Sequence, residues 1–236
     1  MNERLRSSPL GSIRVKICGV TTAADALAAT AIGADLVGLN FHRPSPRFVT
    51  VERAREIRDA IGSRARVVGV FVDRPLDEVL EIERTVGLDL LQFHGDEPIE
   101  EIRPVAARAL RAFQVGRDFD PQIVTGYDQV WGLLFDAPHE VLRGGTGQDW
   151  RYTQVNDILA SVESSARVLI AGGVDPSNVQ RIVSQVENVW GVDVCSGVES
   201  EPGVKSVDRM RELIEAVRAA AHSRPKGGAL ATGQDS

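Results

Sequence analysis

Short apolar runs recur along the chain, and each gives way to a segment with helical spacing. The runs cover 14–18, 35–41, 66–72, 88–94, 110–115, 132–137, 167–173 and 191–197. They are dense in Val, Leu and Ile with little polar alternation, the pattern of strands buried on both faces of a parallel sheet. Between them, segments such as TVERAREIRDAIG, PLDEVLEIERTVG and DPSNVQRIVSQVE place apolar residues at helical spacing beside charged faces. Thr50 and Asp175 are expected helix caps, and Gly62 and Gly87 are expected closing glycines. The segment 118–129 carries the poorest helical signal. Eight alternating strand–helix units predict α/β architecture closed into a single (β/α)8 TIM barrel. A doubly wound open sheet is the alternative. The catalytic barrel is expected over 12–222, after an N-terminal extension of 1–11. The end, 223–236, is small, polar and glycine-rich and is expected to be a disordered tail.

Composition narrows the partners. The formal net charge of -6 and the lack of a basic face exclude a general nucleic-acid binder. Two cysteines, Cys18 and Cys195, make no disulfide framework in a chain this long, which points to a reducing, cytoplasmic setting. No apolar run approaches the roughly 20 residues of a membrane span. The start, MNERLRSSPLG, lacks the apolar centre of a secretory signal.

In such a barrel the chemistry belongs at the C-terminal ends of the strands. The residues expected there include Cys18, Asn40, Arg47, Asp73, His94 and Asp136. Three glycine turns end consecutive strands: RGGTGQDW with Gly145 and Gly147, AGGVD with Gly172 and Gly173, and CSGVES with Ser196 and Gly197. Converging backbone N–H groups and a helix start suit a phosphate, although glycine pairs also serve plain tight turns. Arg47 follows two prolines in PSPR, so a stiff loop can present its guanidinium to a carboxylate or phosphate. A surface arginine in a turn is the competing view. Asp136 ends an otherwise apolar strand, where burial or a nearby dianion would keep it protonated as a general acid. Cys18 read alone is a small buried hydrophobe, because an ordinary thiol of pKa about 8.5 is mostly protonated. Cys195 reads as packing. Lys16 lies two residues before Cys18 and shares its side of the strand. It suits either a structural ion pair or the lysine of a sugar-phosphate lyase.

Taken in order, VKICGVTT, GADLVGLNFHRPSPRFV, LQFHGDE, LLFDAP, GGTGQDW, IAGGVDPSNV and GVDVCSGVES resemble the phosphoribosylanthranilate isomerase family of tryptophan biosynthesis. The resemblance implies a (β/α)8 barrel. It also implies an Amadori rearrangement of N-(5-phosphoribosyl)anthranilate to 1-(2-carboxyphenylamino)-1-deoxyribulose 5-phosphate. It assigns the general base to Cys18 and the general acid to Asp136. Arg47 would engage the anthranilate carboxylate, and the glycine turns would hold the phosphate. No metal or other cofactor is implied. The partner is a small phosphorylated substrate, and the chain is expected as a monomer or homodimer. Cys195 departs from the family, which often has serine there, and FDAP departs from the more usual surroundings of the acid. A sugar-phosphate epimerase or lyase would need metal ligands or a strand-end lysine. A barrel that only binds a phosphorylated metabolite would have no use for both Cys18 and Asp136.

Overall fold

A computed structural model describes residues 13–116, 119–136, 150–161 and 166–223. Eight parallel strands close on themselves in chain order: β1 (Arg14–Ile17), β2 (Leu36–Asn40), β3 (Arg66–Phe71), β4 (Leu90–Phe93), β5 (Ala109–Gln114), β6 (Gly132–Asp136), β7 (Arg167–Ala171) and β8 (Val189–Val194). The ring excludes the open sheet. The last strand seals it against the first, with Lys16 in register with Asp193 and Ile17 with Val194.

Successive side chains on a strand face opposite sides. One set therefore meets the helices, and the other fills the lumen. The outer set includes Val37, Val67, Leu91 and Val192, which pack beneath the helices in the main core. The inner set includes Leu36, Val68, Leu90, Leu110, Leu134 and Leu169, a separate apolar plug. Trp131 floors this plug, with the guanidinium groups of Arg66 and Arg167 5.7 and 5.0 Å from its ring centre. Continuing upward along the same inner faces, the parity brings Lys16, Cys18, His94, Asp136, Asp193 and Cys195 to the open end.

The connecting helices are α1 (Ala23–Ile32), α2 (Val51–Ile61), α3 (Leu76–Val86), α4 (Ile99–Ile102), α5 (Trp150–Ser161), α6 (Val179–Gln185) and α7 (Val207–Ser223). Thr22 and Thr50 cap α1 and α2 through their side chains. Gly62 and Gly87 close α2 and α3, as expected. Asp175 sits upstream of its expected place. Asn178 is the N-cap of α6, while the Asp175 carboxylate accepts from Ser177 N and Asn178 N to build the preceding turn. Between β5 and β6 the described residues form a 3-10 turn, Pro121–Val124, in place of a helix. Gly116 and Gly126 bracket it, and too few apolar positions lie between them to pay for a longer one. A small hairpin, β9 (Glu199–Glu201) with β10 (Val204–Lys205), follows β8 and was not expected.

Candidate active site

Cys18 follows β1, and its N–H bonds Val194 O at 2.9 Å across the closing seam. Its side chain is buried, at 9% exposure. Below it Lys16 is fully buried, with Nζ 2.9 Å from Asp193 Oδ2. The other carboxylate oxygen, Oδ1, is buried with no hydrogen-bond partner among the described residues. Burial opposes the Lys16 charge, but Asp193 and Cys18 outweigh it and raise its pKa. Burial and the neighbouring Cys18 sulfur push Asp193 up to about 7, against the pull of Lys16. One buried cation thus serves two groups that can be anionic. Near neutral pH a single proton decides whether the cluster carries net negative charge. The Cys18 thiol itself falls well below the ordinary range. The hydrogen bond from Cys195 is the main cause, acting against burial and aided by Lys16.

Glycine makes room for this cluster. A Cβ on Gly38 would lie 2.9 Å from Cys18 Sγ and 3.2 Å from Lys16 Nζ. Gly19, of the KICG stretch, has φ 69°, and a Cβ there would lie 2.6 Å from Arg47 Cδ and 2.9 Å from Cys195 Sγ. The sulfur and the guanidinium approach the mouth through the space that a side chain would fill.

Across the ring, Asp136 ends β6 with Oδ2 3.3 Å from His94 Nε2. Gln92, two residues earlier on β4, holds the other ring nitrogen at 2.9 Å. Burial works against a charged His94, but the bond to Asp136 outweighs it and raises the ring's pKa. The rest of HGDE supports this histidine. Buried Glu97 accepts from Asp73 N at 2.9 Å and Gly95 N at 3.0 Å, and meets Arg111 Nη1 at 3.2 Å. It ties the turn after β4 to the one after β3.

Arg47 is held twice. Ser45 Oγ accepts from its backbone N–H at 3.1 Å and from Asn40 Nδ2 at 3.3 Å, which fixes the proline loop. Glu199 grips its side chain in a fork, Nε to Oε1 at 2.8 Å and Nη2 to Oε2 at 2.7 Å. Lys205, fully buried, adds a second cation 2.7 Å from Glu199 Oε1. Burial disfavours the Glu199 charge, but Arg47 and Lys205 outweigh it and lower its pKa.

Gly172 and Gly173 end β7 with φ of 87° and 64°, left-handed values that suit glycine. Ser196–Val198 form a single 3-10 turn after β8. A Cβ on Gly197 would collide with the Val174 carbonyl, so the two turns pack backbone to backbone. Gly145 and Gly147 lie outside the described residues. Among the described residues no cluster of three or more His, Cys, Asp and Glu could hold a metal ion. No helix among them is long and apolar enough to cross a membrane.

A family model described as N-(5'phosphoribosyl)anthranilate (PRA) isomerase matches residues 15–216, from within β1 to within α7. The chain belongs to the phosphoribosylanthranilate isomerase family. It is 39% identical over 210 residues to the isomerase of Chlorobaculum parvum, covering 87% of this chain and 95% of that one. It is 41% identical over 211 residues to that of Pseudomonas aeruginosa, covering 88% and 96%. Among solved structures it resembles a phosphoribosylanthranilate isomerase in complex with reduced 1-(o-carboxyphenylamino)-1-deoxyribulose 5-phosphate. There the TM-score is 0.76 at 32% identity, with 88% of this chain and 99% of that one covered. The enzyme of Thermus thermophilus scores 0.75 at 34% identity over 88% and 99%. The chain is thus an isomerase of tryptophan biosynthesis, built as a TIM barrel.

Within this family member, Cys18, Arg47, Asp136, Gly172, Gly173, Ser196 and Gly197 all gather at one mouth. Lys16 makes the ion pair that was one of its two readings. Cys195, read as packing, has its sulfur 3.9 Å from Glu199 Oε1 and 3.8 Å from Lys205 Nζ. Glu199 and Lys205 were not singled out. Their only signal is their place in and just after GVESEPGVKS, beside the glycine turn.

Proposed function

We propose that Cys18 is the general base and Asp136 the general acid of the rearrangement of N-(5-phosphoribosyl)anthranilate. The observation that carries this reading is their placement. Both end strands on the inner face, with an ammonium beside the sulfur and an imidazole beside the carboxyl.

Opening the ribose ring needs a proton on the ring oxygen as the C1–O bond breaks. Asp136 supplies it, and His94 keeps a proton within reach of the same carboxyl. The anthranilate nitrogen pushes its lone pair into C1 to give an iminium ion. That charge acidifies C2–H, and the Cys18 thiolate removes the proton. The resulting enol-amine gains a proton at C1 and loses one from the C2 hydroxyl to become the ketone. Each positioned proton transfer is worth about 10²–10⁴ in rate. Arg47 takes the anthranilate carboxylate. Its Nη1 lies outside the Glu199 clamp and remains for that contact. The turns at Gly172–Gly173 and Ser196–Gly197, together with Gly145 and Gly147, hold the phosphate.

Steady-state kinetics of Cys18→Ala and Asp136→Asn test the reading. Both variants are expected to lose turnover by orders of magnitude while keeping the far-ultraviolet spectrum of the barrel. Near-native turnover in Cys18→Ala would overturn the base assignment.

A further inference from the structure

Cys195 emerges from β8 directly across the seam from Cys18. Register places Lys16 opposite Asp193, so the residues two positions on, Cys18 and Cys195, are opposite as well. Both face the mouth as neighbours across the seam, with Cys18 N–H bonded to Val194 O at 2.9 Å. Among the described residues the Cys195 thiol also has Glu199 Oε1 as an acceptor at 3.9 Å, and it accepts from Lys205 Nζ at 3.8 Å. That oxygen already accepts from Arg47 Nε at 2.8 Å and Lys205 Nζ at 2.7 Å, so it competes weakly for a thiol proton. Cys18 has the Lys16 ammonium beside it, which only donates. The arrangement is satisfied when the shared proton stays on Cys195 and Cys18 carries the charge.

We propose that Cys195 is a positioning residue for the isomerisation, its S–H donating to the Cys18 sulfur and so keeping that sulfur unprotonated and aimed at the substrate. This rests on Cys18 being the base. The two thiols separate as the proposal requires. The bond from Cys195 lowers Cys18 despite burial, while the bond to Cys18, with burial, raises Cys195. Other groups bear on the same sulfur. Lys16 of β1 and Lys205 of β10 favour its charge. Asp193 of β8 opposes it, because each is harder to ionise beside the other. Arg47 after β2 and His94 after β4 also feel the Cys18 charge. Cys195 differs from all of these in being a neutral donor, so its removal takes away a hydrogen bond and no charge. A hydroxyl can donate in the same place.

The test is the pH dependence of Cys18 alkylation by iodoacetamide, followed by mass spectrometry of the Cys18 peptide. It is run on the parent protein, Cys195→Ser and Cys195→Ala, with the acid limb of kcat/KM recorded in parallel. A hydrogen bond to a charged group is worth enough to move a midpoint by about one unit, or tenfold in thiolate at fixed pH. The Cys195→Ala midpoint is expected to rise by at least that much, with Cys195→Ser between it and the parent, and the acid limb following. Coincident alkylation midpoints for the parent and both variants would overturn the proposal. The alkylation readout needs no turnover. A shift in it while Cys18→Ala stays active would support the thiol pair and fault only the base assignment.

Discussion

Lys16 Nζ sits 2.9 Å from Asp193 Oδ2, inside the barrel and beneath the Cys18 sulfur. A buried ion pair is a poor source of stability, because desolvation offsets the attraction, and breaking one side costs about 3–5 kcal/mol. This pair instead places a fixed cation under a thiol.

The pair can be removed as a unit. Lys16→Met is expected to destabilise the protein by about 3–5 kcal/mol, and the loss should grow from pH 5 to pH 8. In the parent, Asp193 titrates near 7 when folded, against 3.8 ordinarily. The stability from that raised value is full below the ordinary pKa and disappears as pH rises through the folded one. Without Lys16 the carboxylate at high pH has no counter-ion. The double variant Lys16→Met/Asp193→Leu should recover the stability and not the activity. Urea unfolding at the two pH values, with turnover assays, checks both parts. Recovered turnover would show that the cation does nothing for the sulfur.

His94 and Asp136 make a second titration visible. The His94 ring is expected to titrate above its ordinary 6.5 in proton NMR. In Asp136→Asn the hydrogen bond and charge of that carboxylate are gone, leaving burial opposed by Cys18 and Asp193 alone, so the midpoint should fall below the parent's. The stability from this pair is complete below the ordinary value and is lost as pH rises through the folded midpoint. The His94→Gln spectrum identifies the resonance.

Glu199 is the hinge of a three-residue ion cluster. Glu199→Gln leaves buried Lys205 without its carboxylate and releases Arg47, at a cost of about 3–5 kcal/mol. Calorimetry should show a lower Tm. Because Arg47 loses its fixed orientation, KM should rise more than kcat falls.

Gly38 offers a steric test of alignment. Gly38→Ala puts a methyl group 2.9 Å from Cys18 Sγ, and the sulfur must move to admit it. Misplacing a reacting group by an ångström costs about 10²-fold in rate. Turnover of the alanine variant should fall by about that factor while circular dichroism remains that of a folded barrel.

The ring was legible in the chain because each of its strands is covered on both faces, which writes an unbroken apolar run. Asp136 stood out because a carboxylate closes an apolar run, whereas Cys18 alone read as a small hydrophobe and gained its role only through the family resemblance. The β5–β6 connection was not, since glycines cut its periodicity below one helical span. The β9–β10 hairpin escaped because strands of three and two residues carry no period. Glu199 and Lys205 escaped for a different reason. A charge in a sequence reads as exposed, and only the fold shows that these two are buried together. The placing of Cys195 beside Cys18 likewise depends on which strand closes the ring.

That closure joins residues from opposite ends of the chain. Until the eighth strand docks on the first, Cys18 lacks Asp193 and Cys195 together, and it is an ordinary thiol on an unfinished edge. The setting that lowers this thiol therefore belongs to the closed ring and not to its first strand. A chain whose two ends have not met carries there the same thiol as any other cysteine.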